Sequence, residues 1–155
     1  LWGEERGVDI AAHERGETVT RALPVTASIT TGTSVGRFYV DIPFTSKHRI
    51  GFDDFYPFPV GPTVRGFQVF GHDNSVTLQE VEMVGLRTVR VWFDAEPTGA
   101  NRVIRYAYRP TDVTETGETG YTIGGGELVE GHGIPSMFYP GETITRKVPG
   151  FEVAF

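Results

Sequence analysis

Cysteine is absent from this chain of 155 residues. Without it there can be no disulfide, thiolate metal site, cysteine nucleophile or iron–sulfur cluster. The compartment stays open, because a chain of this size hides roughly 68–70% of its unfolded surface and folds without staples. Basic excess is also lacking, since 14 Lys and Arg stand against 20 Asp and Glu for a formal charge of −6. Neither half is basic, and the arginines are dispersed among acids along strand-like segments. A protein that grips phosphate normally shows a basic face, so nucleic acid is not an expected partner. No apolar run approaches the ~20 residues of a membrane span, and none is expected. No window of ten or more residues repeats with a period of 3.6. The best candidate, Leu78–Leu86, contains Gly85 and reads equally well as a strand. The opening residues, Leu1-Trp2-Gly3-Glu4-Glu5-Arg6, match neither an initiator Met nor a signal peptide, which suggests a piece of a longer product or a processed end.

What is plentiful is turn chemistry and rings. Twenty Gly and 10 Pro break the chain into short elements, while 11 Phe, 6 Tyr and 2 Trp supply a core that no disordered chain carries. Residues 1–17 are mostly polar and read as an N-terminal arm or linker, leaving 18–155 as one domain. From Thr18 the pattern turns to period two: Val19, Leu23, Val25, Ala27 and Ile29 share one face, with Thr and Ser on the other. Further strands are expected at Arg37–Ile42, Thr63–Phe70, Val76–Val84, Arg87–Phe93, Arg102–Tyr108, Gly141–Val148 and Phe151–Phe155. The apolar set changes parity within Val76–Val84, which predicts a β-bulge near Gln79-Glu80. About eight or nine short strands without a long helix predict an all-β antiparallel sandwich, jelly-roll-like. Gly117–Gly133, rich in glycine and acids, is expected to leave the sheets as a long loop.

Gly32-Thr33-Ser34-Val35-Gly36 fits the G-x-S-x-G pattern of serine hydrolases. That chemistry needs a strand-to-helix elbow, whereas Arg37–Ile42 reads as a strand, so a hairpin turn is expected and no catalytic residue is assigned. Histidines 13, 48, 72 and 132 lie far apart and form no metal-binding pair. Asp53, Asp54, Asp73 and Asn74 are the candidate oxygen ligands of a structural calcium, although Asx residues in turns commonly bond their own backbone. No other cofactor is expected.

The rings select the candidate ligand site. Val89, Val91 and Phe93 share one strand face, which leaves Arg90 and Trp92 on the other. Phe55, Tyr56 and Phe58 crowd a Pro-rich loop, and Tyr121 and Glu127 sit in the acidic loop. Flat rings beside acids and Arg suit sugars, which expose C–H faces ringed by hydroxyls. Trp92, Arg90, Phe55, Tyr56, Phe58, Tyr121 and Glu127 therefore form the predicted site, with Trp92 exposed as its platform.

The stretch Val89–Ala100 (VRVWFDAEPTGA), followed by Val103–Tyr108 (VIRYAY), resembles the C-terminal accessory β-sandwich of SGNH-type, sialate O-acetylesterase-like proteins of phage tails and polysaccharide-active enzymes. The likeness covers about residues 75–155. It lacks the family's Gly-Asp-Ser and Asp-x-x-His blocks, so it implies the accessory sandwich without catalysis. The expectation is a non-catalytic glycan-binding or accessory domain of a phage tail protein or secreted polysaccharide-active enzyme. The alternative is a virion structural protein, a capsid decoration or tail component, whose sandwich mediates subunit contacts. Either places the chain outside the cell or in a virion, with polysaccharide or other virion subunits as partners and room for a homo-oligomer.

Overall fold

The computed structural model describes residues 2–19, 21–52, 64–109, 120–121, 127–141 and 143–155. It is an all-β antiparallel sandwich with one α-helix among the described residues. The elements run α1 (Trp2–Glu14), β1 (Leu23–Pro24), a 3-10 turn (Thr26–Ser28), β2 (Thr30–Ser34), β3 (Arg37–Thr45), β4 (Ile50–Phe52), β5 (Phe67–Phe70), β6 (Leu78–Met83), β7 (Thr88–Phe93), β8 (Val103–Tyr106), β9 (Tyr108–Arg109), β10 (Gly120–Tyr121), β11 (Leu128–Pro135), β12 (Thr143–Lys147) and β13 (Phe151–Ala154).

One layer is a five-stranded sheet in the order β1-β3-β7-β6, with β2 also paired to β3. Two three-stranded sheets, β13-β8-β5 and β12-β11-β4, share its core. Alternation builds the seam: Phe38, Val40, Ile42 and Phe44 of β3 point inward, as do Val89, Val91 and Phe93 of β7. Rings close it from the opposite side. Phe44 meets Phe151 at 5.5 Å, and Phe155 stacks on Phe93 at 6.1 Å. Phe67, Tyr106 and Phe151 form a central triangle with centroid separations of 4.9, 5.1 and 6.1 Å.

Three expectations change on inspection. The arm at 1–17 is largely helix, closed by a Schellman turn in which Gly16 (φ 75°) lets Glu17 N–H donate to Ala12 O and Gly16 N–H to His13 O. No apolar stripe announces this helix, because it docks on β12 largely through charge: Asp9 bonds Arg146, and Glu4 bonds Ser136. The strand expected from Thr18 is broken. β1 and β2 run along the same edge of β3, and the 3-10 turn interrupts the alternation between them. The glycine-rich stretch is not all loop. Its last residues belong to β11, the central strand of its sheet, and Gly120-Tyr121 pairs with β9. The parity shift in β6 does form the expected bulge, since Leu78 lies opposite Phe93 and Glu80 opposite Trp92, leaving Gln79 extra.

Candidate functional site

The outward face of β7 was the place to look for a platform, and it is closed. Trp92 does point away from the Val89, Val91 and Phe93 layer, yet it is only 6% exposed, which corrects the expectation of an open indole. Tyr39, directly opposite on β3, packs edge-on at 5.3 Å. The Arg37 guanidinium lies 4.3 Å from the indole centroid and is itself tied to Glu80 at 3.1 Å. Trp92 Nε1 donates to Glu82 on β6 at 2.7 Å. Arg90 sits 3.9 Å above the Tyr39 ring and grips Asp41 through two bonds of 2.7 and 2.8 Å. The bonds to the Asp41 carboxylate raise the Arg90 guanidinium above its ordinary range despite partial desolvation. The polar ends of Trp92, Arg37 and Arg90 are thus engaged from within the sheet.

The Ser34 motif belongs to the same face. Ser34 pairs with Arg37 across a two-residue turn, Val35-Gly36, in which both residues have positive φ (52° and 74°). That is the type I′ geometry of a tight hairpin, as the sequence predicts. The first glycine of the motif has its own reason. A Cβ on Gly32 would lie 2.5 Å from the Tyr39 hydroxyl, so the ring needs glycine beneath it.

Of the other predicted ligand residues, Glu127 and Tyr121 can be placed. Glu127 pairs with Arg65 at 2.8 Å, and Arg65 covers the Phe52 ring at 4.3 Å. Tyr121 contributes backbone to β10. Phe55, Tyr56, Phe58, Asp53 and Asp54 lie outside the described residues. Asn74 is spent within the fold, its Oδ1 accepting from Thr98 N–H at 2.8 Å and its Nδ2 donating to Glu96 O at 2.9 Å. Asp73 N–H donates to Thr98 O at 2.8 Å, so this pair staples two loops. Among the described residues no three acids or histidines cluster as a metal site.

Two regions that the sequence reading passed over carry more structure. Beneath α1 lies a cleft of about 250 Å³, with Asp9, Lys47, His48, Glu130 and Arg146 in its walls. Glu130 and Arg146 face each other across β11 and β12, and both are buried. Glu130 accepts from Ser46 Oγ at 2.6 Å and from Ala22 N–H at 3.2 Å, while Arg146 reaches Asp9 of α1. These bonds tie the helix, the residue before β1 and the β3–β4 turn to one sheet.

The second region is the β11–β12 turn. Met137, Phe138 and Tyr139 are 88%, 74% and 47% exposed. They are nevertheless held firmly. Ser136 Oγ accepts from Phe138 and Tyr139 N–H at 3.2 and 3.0 Å and donates to Glu4 at 2.8 Å, while Met137 N–H donates to Glu4 at 2.7 Å. Burial alone would raise the Glu4 carboxyl. The bonds from Ser136 and Met137 outweigh it and hold that carboxyl below its ordinary value. The signal is present in the sequence as an apolar triplet between Pro135 and Pro140.

No protein-family model, curated protein or solved structure matches this chain.

Proposed function

We propose that this chain is a non-catalytic structural module whose sandwich mediates contacts with other protein subunits, as a capsid decoration or tail component of a virion does. The observation that carries the reading is the β11–β12 tip, where three adjacent large side chains stand in water on a backbone already fixed by Glu4 and Ser136. Exposed apolar clusters mark interaction sites, and a preordered loop loses little entropy on docking. The glycan-binding reading is weaker on this surface, because Trp92 offers no face on which a sugar ring could stack.

Site-specific photo-crosslinking tests the proposal. A photoreactive residue replaces Phe138 in one preparation and Val35, also apolar and 94% exposed, in another. Adducts with protein of discrete mass at position 138 and not at 35 support a subunit-contact role. Equal labelling at both positions, or no protein adduct together with retention on a glycan array, overturns it.

A further inference from the structure

β2 leaves one edge of the five-stranded sheet open. Ser34 and Arg37 flank a two-residue turn and so form a hydrogen-bonded pair, and Gly32 and Thr30 bond β3 at the alternate positions. The N–H and C=O groups of Thr31 and Thr33 therefore point away from β3. Among the described residues no strand, loop or side chain bonds these four groups. Thr30, Thr31, Thr33 and Ser34 are all exposed.

Bare edges invite pairing, and sheets normally blunt them with charge, proline or a bulge. This sheet does so elsewhere. β6, its far edge, carries Glu80, Glu82 and the bulge at Gln79, while β1 is two residues long and ends in Pro24. β2 holds no charge, no proline and no bulge.

Its sequence identifies what fits it. Thr-Thr-Gly-Thr-Ser reads nearly alike from either end. Laid antiparallel on itself about Gly32, it sets Thr31 opposite Thr33, Thr30 opposite Ser34 and glycine opposite glycine. This register pairs both residues whose backbone points outward, so all four groups are met. A slip of one residue opposes them to groups already bonded to β3, and a slip of two carries one of them past the end of the strand. Hydroxyl side chains then face hydroxyl side chains, a favourable cross-strand match. Charge agrees as well. Each copy bears a formal charge of −6, yet this contact is uncharged. The neighbouring ions on β3, Arg37 and Asp41, are neutralised within their own sheet by Glu80 and Arg90.

We infer that β2 pairs with β2 of a second copy across a two-fold axis at Gly32, joining the two five-stranded sheets into one. The contact is isologous, so it closes as a dimer. It uses none of the tip residues and does not depend on the reading given for them. With five residues a side it is small, and the dimer is weak and concentration-dependent.

Sedimentation of the full chain over a concentration series tests this. Wild type passes from monomer to dimer and gains no further mass. Thr33→Pro removes an outward N–H from each copy and none from the β3 ladder, which proline on a free edge respects. Two of the four bonds are lost, and dimerisation needs roughly tenfold more protein. The register is read by disulfide trapping, since the chain has no cysteine of its own. Thr30 and Ser34 stand opposite as a non-hydrogen-bonded pair with Cα atoms about 4.5 Å apart, within disulfide reach. An equimolar mixture of Thr30→Cys and Ser34→Cys chains therefore oxidises to a mixed dimer several-fold faster than either chain alone, whose like positions are out of line. Unfolding midpoints show whether Thr33→Pro stays folded; if it does not, the trapping decides alone.

A wild type that stays monomeric at every concentration, a dimer that folded Thr33→Pro leaves unchanged, or mixed oxidation no faster than that of the single chains overturns the inference. Position 35 adjoins β2, so its crosslinking comparison with position 138 is made where sedimentation finds monomer. Failure of the dimer then leaves the subunit-contact reading of the tip standing, and failure at position 138 leaves the dimer.

Discussion

Two surfaces of this sandwich carry conspicuous rings, and they meet water in opposite ways. On the outer face of β3, β6 and β7, Trp92 and Tyr39 lie beneath Arg37 and Arg90, whose charges are taken by Glu80 and Asp41. On the β11–β12 turn, Met137 and Phe138 project well into solvent and Tyr139 about half so, while the backbone behind them is pinned. The difference lies in what surrounds each ring. A central strand has cross-strand partners on both sides whose long side chains can fold over it, whereas a turn has none. A sheet face of aromatics and arginines thus seals itself. A turn of the same hydrophobicity stays available.

The strongest way to break the comparison is Trp92→Ala. Removing a large buried ring from a lattice and leaving Glu82 without its donor costs about 3–5 kcal/mol, read as a lower denaturation midpoint, with crosslinking at position 138 of the folded fraction unchanged. Weakened crosslinking at unaltered stability would show that the face is a binding surface after all. Val35→Asn sharpens the same side from the other direction. Val35 holds φ 52° and is 94% exposed, so replacing a β-branched residue there removes strain and buries nothing. The Asn-Gly turn should gain about 1 kcal/mol of stability by chemical denaturation.

The tip behaves in reverse. Phe138→Ser should change stability by no more than about 0.5 kcal/mol, as surface substitutions do, while crosslinking from a photoreactive residue placed at Met137 disappears. The smallest effect is acidic. Glu4 is held below its ordinary value of 4.5, so its anchoring is complete above that pH and fades as pH falls through the lowered value. The Met137 and Phe138 amide shifts should titrate with a midpoint below 4.5, and Glu4→Gln should abolish that titration.

The sandwich was legible because β3 and β7 keep strict alternation, and the parity slip at Gln79 marks its bulge from sequence alone. Helix α1 was hidden because its docking uses Glu4 and Asp9 against partners more than a hundred positions away, which leaves no periodic apolar signal. β11 was hidden by its composition: Glu130, Gly131 and Gly133 look like loop, yet Glu130 is buried by distant Ala22 and Ser46. For Trp92 the alternation gave the correct side of the strand. Exposure depended on Arg37 and Tyr39, whose register against β7 is a tertiary fact. Glu127 was grouped with Trp92 by residue type, and type does not reveal that its partner is Arg65.

Tyr106 has a consequence for alkaline solution. Its hydroxyl is sealed in the core and accepts the Leu128 N–H at 2.7 Å, and burial lifts its ionisation far above the ordinary tyrosine range. In the unfolded chain the same phenol ionises near pH 10, to within about a unit. Above that pH the native state holds a proton the unfolded state has lost, so stability falls as pH rises. Surface phenols will ionise on mixing with base, whereas Tyr106 must wait for the core to open. A slow second rise in phenolate absorbance after a jump to high pH would then time the opening of the sandwich from an intrinsic chromophore, with no label attached.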